Sequence, residues 1–135
     1  MEGCVVGPFV VPTVAVSVVL LLVRVILSVT FFNECYVKFK DLKGFAKRDG
    51  VPLPAAGFVA TAELCAALGM ISGVLSQWAG VGLVLLMLST ISLHLFKWHS
   101  PYWAAKRGWE YDLIMLTLAS VIAVFGPGQF ALMPW

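Results

Sequence analysis

Of 135 residues, 61% are hydrophobic and only 12% charged, far from the roughly 45–50% apolar and 25% charged make-up of a soluble domain. That balance points to an integral membrane protein in contact with the lipid bilayer and leaves too little polar chain for a second, soluble domain, so residues 1–135 are expected to form one transmembrane domain. A formal net charge of +2 is too small to argue for a nucleic-acid partner.

The first apolar run extends from about Phe9 to Phe32 and is broken only by Arg24. Pro12 suits a first helical turn, where the missing N–H costs nothing. The run is expected to be retained as a helix, because a cleaved signal would have a basic start and a core of only about 7–15 residues. Pro52-Leu53-Pro54 opens a second run, 54–76; a third, 78–96, is entered through a tight connection at Gln77–Gly82; a fourth, 110–125, is stopped by Gly126-Pro127-Gly128. Each approaches the roughly 17–25 residues that cross the hydrocarbon core. The expected fold is therefore all-α, an antiparallel four-helix bundle in the membrane. Between the first two runs, 33–54 has room for a short amphipathic helix on the inner surface. Gly69 and Gly73 form a G-x-x-x-G that permits close helix approach, expected here within the molecule.

Orientation follows from the loops. Lys38, Lys40, Lys43, Lys47 and Arg48 lie between spans one and two, Lys97, Lys106 and Arg107 between spans three and four, and none lies in the termini or the 2–3 turn. The positive-inside tendency puts loops 33–53 and 97–109 on the cytoplasmic side and both termini outside. Trp98, Tyr102, Trp103 and Trp109 would form an inner aromatic belt, with Trp78 and Trp135 near the outer one. Cys4, Cys35 and Cys65 contain no C-x-x-C and signal neither a disulfide framework nor a redox pair.

Charges inside the apolar runs are the strongest functional signal, since each costs at least about 2.5–3.5 kcal/mol unless paired or wetted. Counted from the inner ends of the predicted spans, Arg24 and Glu63 fall at the same depth, roughly 12–14 Å, and are expected to meet. Arg24 shares a helix face with Ser28 and Phe31, and Glu63 with Ala66, Met70 and Gly73. With His94 near the end of span three and Glu110 at the start of span four, they make a candidate polar pocket: Arg24, Glu63, His94 and Glu110. Phe31, Phe32, Met70 and Trp109 would flank it and receive the ring or tail of a quinone or lipid. Two roles stay open, a buried pair that dictates which helices meet and a site that holds a ligand or exchanges a proton. Neither a catalytic residue nor a metal site is expected from one deep His and scattered carboxylates. The sequence has no haem-ligand pair, Fe–S cysteine set or nucleotide-binding glycine loop, so no intrinsic cofactor is expected.

Arg24, then Phe31-Phe32-Asn33-Glu34 with Lys38, Gly50-Val51-Pro52-Leu53-Pro54, Ala62-Glu63, Gly108-Trp109-Glu110 and Gly126-Pro127-Gly128 occur in an order that resembles the DoxX family of small four-helix membrane proteins. The resemblance covers nearly the whole chain. It departs from the family pattern at Asn33-Glu34 and at Gln129-Phe130-Ala131. The likeness implies that Lys38, Gly126, Pro127 and Gly128 are framework positions beside Arg24, Glu63 and Glu110. It also implies an association with quinone-linked electron transport or terminal oxidase complexes. The expectation is an accessory subunit of a quinone-linked redox complex, partnered by larger membrane subunits and not catalytic alone. The alternatives are a stand-alone quinone- or lipid-binding membrane oxidoreductase and a small transporter or membrane-protein assembly factor. Fold analogy does not choose among them.

Overall fold

The computed structural model describes residues 4–6, 9–11, 13–103, 105 and 108–132; the expectations for Pro12, Lys106, Arg107 and Trp135 lie outside them. Two short strands, β1 (Cys4–Val6) and β2 (Phe9–Val11), pair antiparallel with Cys4 opposite Val11. Five helices follow: α1 (Thr13–Lys40), α2 (Leu42–Asp49), α3 (Leu53–Ser72), α4 (Ser76–Phe96) and α5 (Glu110–Phe125). The chain is a helical integral membrane protein, and the ribbon is its one departure from all-α among the described residues. By length and composition α1, α3 and α4 can each cross a membrane. At 16 residues, α5 is about 24 Å long and falls short of the roughly 30 Å hydrocarbon core.

Several boundaries differ from the sequence expectation, each for a local reason. Span one begins at Thr13 rather than Phe9, because Phe9–Val11 is extended in β2. It runs on to Lys40, eight residues past the apolar stretch, because 33–40 contains no Gly or Pro and carries a Glu34–Lys38 i,i+4 pair at 3.8 Å. Loss of hydrophobicity did not end the helix. Span two stops at Ser72, where Gly73 turns left-handed at φ 78° and sends its N–H back to Gly69 O. The tight connection is thus residues 73–75, and Gln77–Gly82 is helical. The short surface helix between spans one and two exists as α2, opened by Asp41, whose side chain accepts from Gly44 N at 3.0 Å, and closed by left-handed Gly50. The fourth segment, 110–125, matches its expected bounds.

Leu20, Leu27, Phe31, Ala66, Ala67, Met70, Leu83, Met87, Met115, Ala119 and Ile122 form the core, with all four long helices contributing. Small residues let those helices close up. A Cβ on Gly69 would lie 3.3 Å from Ala79 of α4, while one on Gly73, just past the end of α3, would meet Ala131 and Arg24, so both glycines of the G-x-x-x-G make close contacts within the molecule. Gly80 does the same between α4 and α5, where an added Cβ would lie 2.9 Å from Ala123 N. The outer faces stay apolar: Phe58, Trp78, Leu85, Phe96 and Val124 are exposed, as a surface solvated by lipid requires.

Candidate functional site

Arg24 and Glu63 do not meet. Ser28 Oγ donates to Ala67 O at 2.8 Å and Arg24 Nε to Met70 O at 2.8 Å, so antiparallel α1 and α3 are in register with Arg24 opposite the end of α3. Glu63 lies seven residues back along α3, roughly 10 Å away. The equal-depth expectation failed because it placed the inner end of span one at about Phe32, whereas α1 continues to Lys40.

Arg24, only 1% exposed, instead caps a helix that is not its own. The last four carbonyls of a helix have no intrahelical donor, and here all four are served. Gly69 O accepts from Gly73 N, Met70 O from Arg24 Nε, Ile71 O from Arg24 Nη2 at 3.1 Å, and Ser72 O from Leu132 N at 3.0 Å. Arg24 Nη1 also donates to Pro127 O at 3.2 Å and to Phe130 O, which ties the Gly126-Pro127-Gly128 turn to the same point. The cation is compensated by carbonyls and by the negative end of the α3 dipole, with no carboxylate among these partners. Gly73 is needed twice, for its positive φ and because a Cβ there would lie 2.7 Å from Arg24 Nη2. The Gln129-Phe130-Ala131 departure is accommodated because the turn is held largely through its backbone, including Gln129 N to Ser17 Oγ at 3.2 Å.

A second polar centre occupies the opposite, loop end of the bundle, around a cavity of about 620 Å³. Glu63, its side chain 3% exposed, accepts from Lys38 Nζ through Oε1. Lys38 also faces Glu34 and lies 5.2 Å above the centre of the Phe45 ring of α2. Across the cavity, His94 Nε2 is 3.4 Å from Asp112 Oδ2, and the His94 ring meets Trp98 edge-on with centroids 4.7 Å apart. Phe31, Met87, Val59, Leu86 and Tyr111 supply apolar wall, and Glu34, Arg48 and Asp49 lie along the lining.

Of the expected pocket, then, Glu63 and His94 line one cavity, while Arg24 is at the other end of the bundle and Glu110 lies in the first turn of α5 outside the lining. Asp112, two residues on and on the inner face of α5, holds the position expected of Glu110. Among the flanking residues only Phe31 lines the cavity; Phe32 is half exposed, Met70 sits with Arg24, and Trp109 packs edge-on against Tyr102. Lys38, placed only as framework by resemblance, is the partner of Glu63. The signal for it was legible, since Phe31, Cys35 and Lys38 continue one helix face at i, i+4 and i+7.

Three buried polar atoms on this lining have no hydrogen-bond partner: Glu63 Oε2, His94 Nδ1 and Asp112 Oδ2. Each such atom costs about 1–3 kcal/mol when left unserved, and buried polar atoms of this kind are ordinarily served by water or by other polar groups. At its mouth, burial pushes the Asp49 carboxyl above the usual carboxylate range, and Lys38, Arg48, His94 and Lys97 pull it the other way. Cys35 is buried and free, and Cys65 is exposed and free.

No curated protein and no solved structure matches the chain. The DoxX family model matches residues 19–98, more than half of the chain, from early α1 to just past α4 and including Arg24, Lys38, Glu63 and His94. Sequence order, membrane helices and family match agree, and the chain belongs to the DoxX family.

Proposed function

We propose that this protein is an accessory subunit of a quinone-linked redox or respiratory membrane complex, and that its loop-end cavity receives the quinone-type ring. The carrying observation is the cavity itself: apolar walls from Phe31, Met87 and Leu86 around two polar pairs, Lys38–Glu63 and His94–Asp112. A planar apolar ring with oxygen at its ends suits walls and polar pairs of this kind. In this reading α1, α3, α4 and α5 form one antiparallel four-helix transmembrane domain, 33–53 and 97–109 are cytoplasmic, and both termini are outside. The Lys and Arg distribution supports that orientation. Larger subunits carry the redox centres and this chain contributes binding and shape.

Native purification from membranes, followed by mass spectrometry and absorption spectroscopy, tests the reading. Co-purification of redox subunits and quinone is expected. A protein that runs alone and free of quinone refutes it.

A further inference from the structure

We infer that the outward face of α2 is a docking surface for the headgroups of anionic lipids, with Lys40, Lys43 and Lys47 as the residues that hold the phosphate. The inference is independent of what the cavity binds. Helix length sets the depth. At 20 residues, α3 is about 30 Å long, the thickness of the hydrocarbon core, so its first turns lie at the hydrocarbon boundary. α2 packs beside them: a Cβ on Gly57 of α3 would lie 3.8 Å from Leu42. The short helix is therefore level with the lipid headgroups.

Its two faces differ in charge. Leu42, Phe45, Ala46 and Asp49, at i, i+3, i+4 and i+7, belong to the bundle side, where Ala46 is buried, the Phe45 ring lies beneath Lys38 and Asp49 lines the cavity. Lys43 and Lys47, one turn apart, are exposed on the other side, and Lys40 is exposed where α1 hands over to α2. The acids of the same stretch are engaged elsewhere. Glu34 faces Lys38 at 3.8 Å, Asp41 accepts from Gly44 N at 3.0 Å, and Asp49 is on the cavity lining. Among the described residues no carboxylate forms an ion pair with Lys40, Lys43 or Lys47. Keeping a loop on one side of the membrane requires cations but not this sorting of cations outward and acids inward. An unmatched cationic face at headgroup level is the complement of an anionic lipid, each lysine there adding to the attraction. Phe39 and Leu53, exposed at the adjoining ends of α1 and α3, offer apolar contact to the acyl chains, which a free anion or a soluble acidic protein would leave unused. Because the apolar side of α2 is already packed on the bundle, headgroup binding is electrostatic and weakens with salt.

The full chain in neutral-detergent micelles doped with equal amounts of phosphatidylglycerol and phosphatidylcholine supplies the test, with native mass spectrometry counting the lipids bound. Phosphatidylglycerol adducts are expected to exceed phosphatidylcholine adducts at least about fivefold, the equivalent of one lysine near an anionic surface, and the excess should shrink as ammonium acetate is raised. The triple variant Lys40→Gln, Lys43→Gln, Lys47→Gln should bring the ratio close to one, with thermal unfolding showing that it still folds. Should it not fold, the wild-type ratio and its salt dependence decide. Equal adducts, an excess indifferent to salt, or an excess that survives in the folded triple variant overturns the inference. A glutamate-rich peptide that binds the wild type where phosphatidylglycerol does not would assign the face to an acidic protein and overturn it as well. None of these outcomes bears on quinone co-purification, so the two readings fail separately.

Discussion

At the scale of single residues, the charges held inside the bundle divide into two kinds with different jobs. Lys38 and Glu63 form a buried ion pair, and removing one partner of such a pair leaves an uncompensated charge. Lys38→Met is therefore expected to destabilise the protein by about 3–5 kcal/mol. The double variant Lys38→Met, Glu63→Gln should recover most of that loss, as read by a double-mutant cycle of thermal unfolding in detergent. Arg24 works through geometry, with one planar group reaching four carbonyls from two segments. Lysine has the charge without the fork. Arg24→Lys should consequently cost on the order of 3 kcal/mol while leaving ligand binding at the far cavity unchanged in the protein that still folds; equal melting temperatures would refute the capping role. Asp49 carries a pH dependence whose sign follows from its raised folded value. The folded state holds its proton to higher pH than the unfolded state, so stability falls as pH rises from about 4 through the folded value. Asp49→Asn should flatten that decline in a pH series of melting temperatures.

At the scale of elements, the helix ends and small-residue contacts determine what meets what. Gly80 brings α4 against the backbone of α5 at Ala119 and Ala123, a contact no flexible side chain can relieve. Gly80→Val is expected to destabilise the protein by about 1–3 kcal/mol through overpacking, measurable by unfolding in detergent, whereas the same change at Gly82, which has nothing within 4 Å, should be nearly silent. Much of this level was legible in advance. Pro52 and Pro54 marked the start of α3, and Gly126 marked the end of α5. Both read correctly because Pro and Gly act on the local backbone. The far end of α1 was misread because hydrophobicity was used as the boundary, and helix and apolar run are different properties. An extension beyond the apolar run needs only good i,i+4 pairing and no breaker to stay helical.

For the whole molecule, the proposed orientation makes a direct prediction. In a background lacking Cys4, Cys35 and Cys65, Leu75→Cys in the α3–α4 turn should react with a membrane-impermeant maleimide added to intact cells. Lys43→Cys on α2 should react only after permeabilisation. The opposite pattern would invert the topology and place the cavity mouth on the outer face. Membrane residence, helical class and family could be read from composition, run length and motif order, because each sums over many residues and tolerates local error. The faces were legible too: Arg24, Ser28 and Phe31 are all buried on α1, and Glu63, Ala66 and Met70 on α3 with Gly73 just past its end, as 3.6-residue periodicity requires. Only the tertiary structure decided the pairing. Which charge meets which depends on the axial register of two antiparallel helices, and there a shift of a few residues, 1.5 Å each, exchanges Glu63 for the carbonyls of α3 as the partner of Arg24 and gives Glu63 to Lys38.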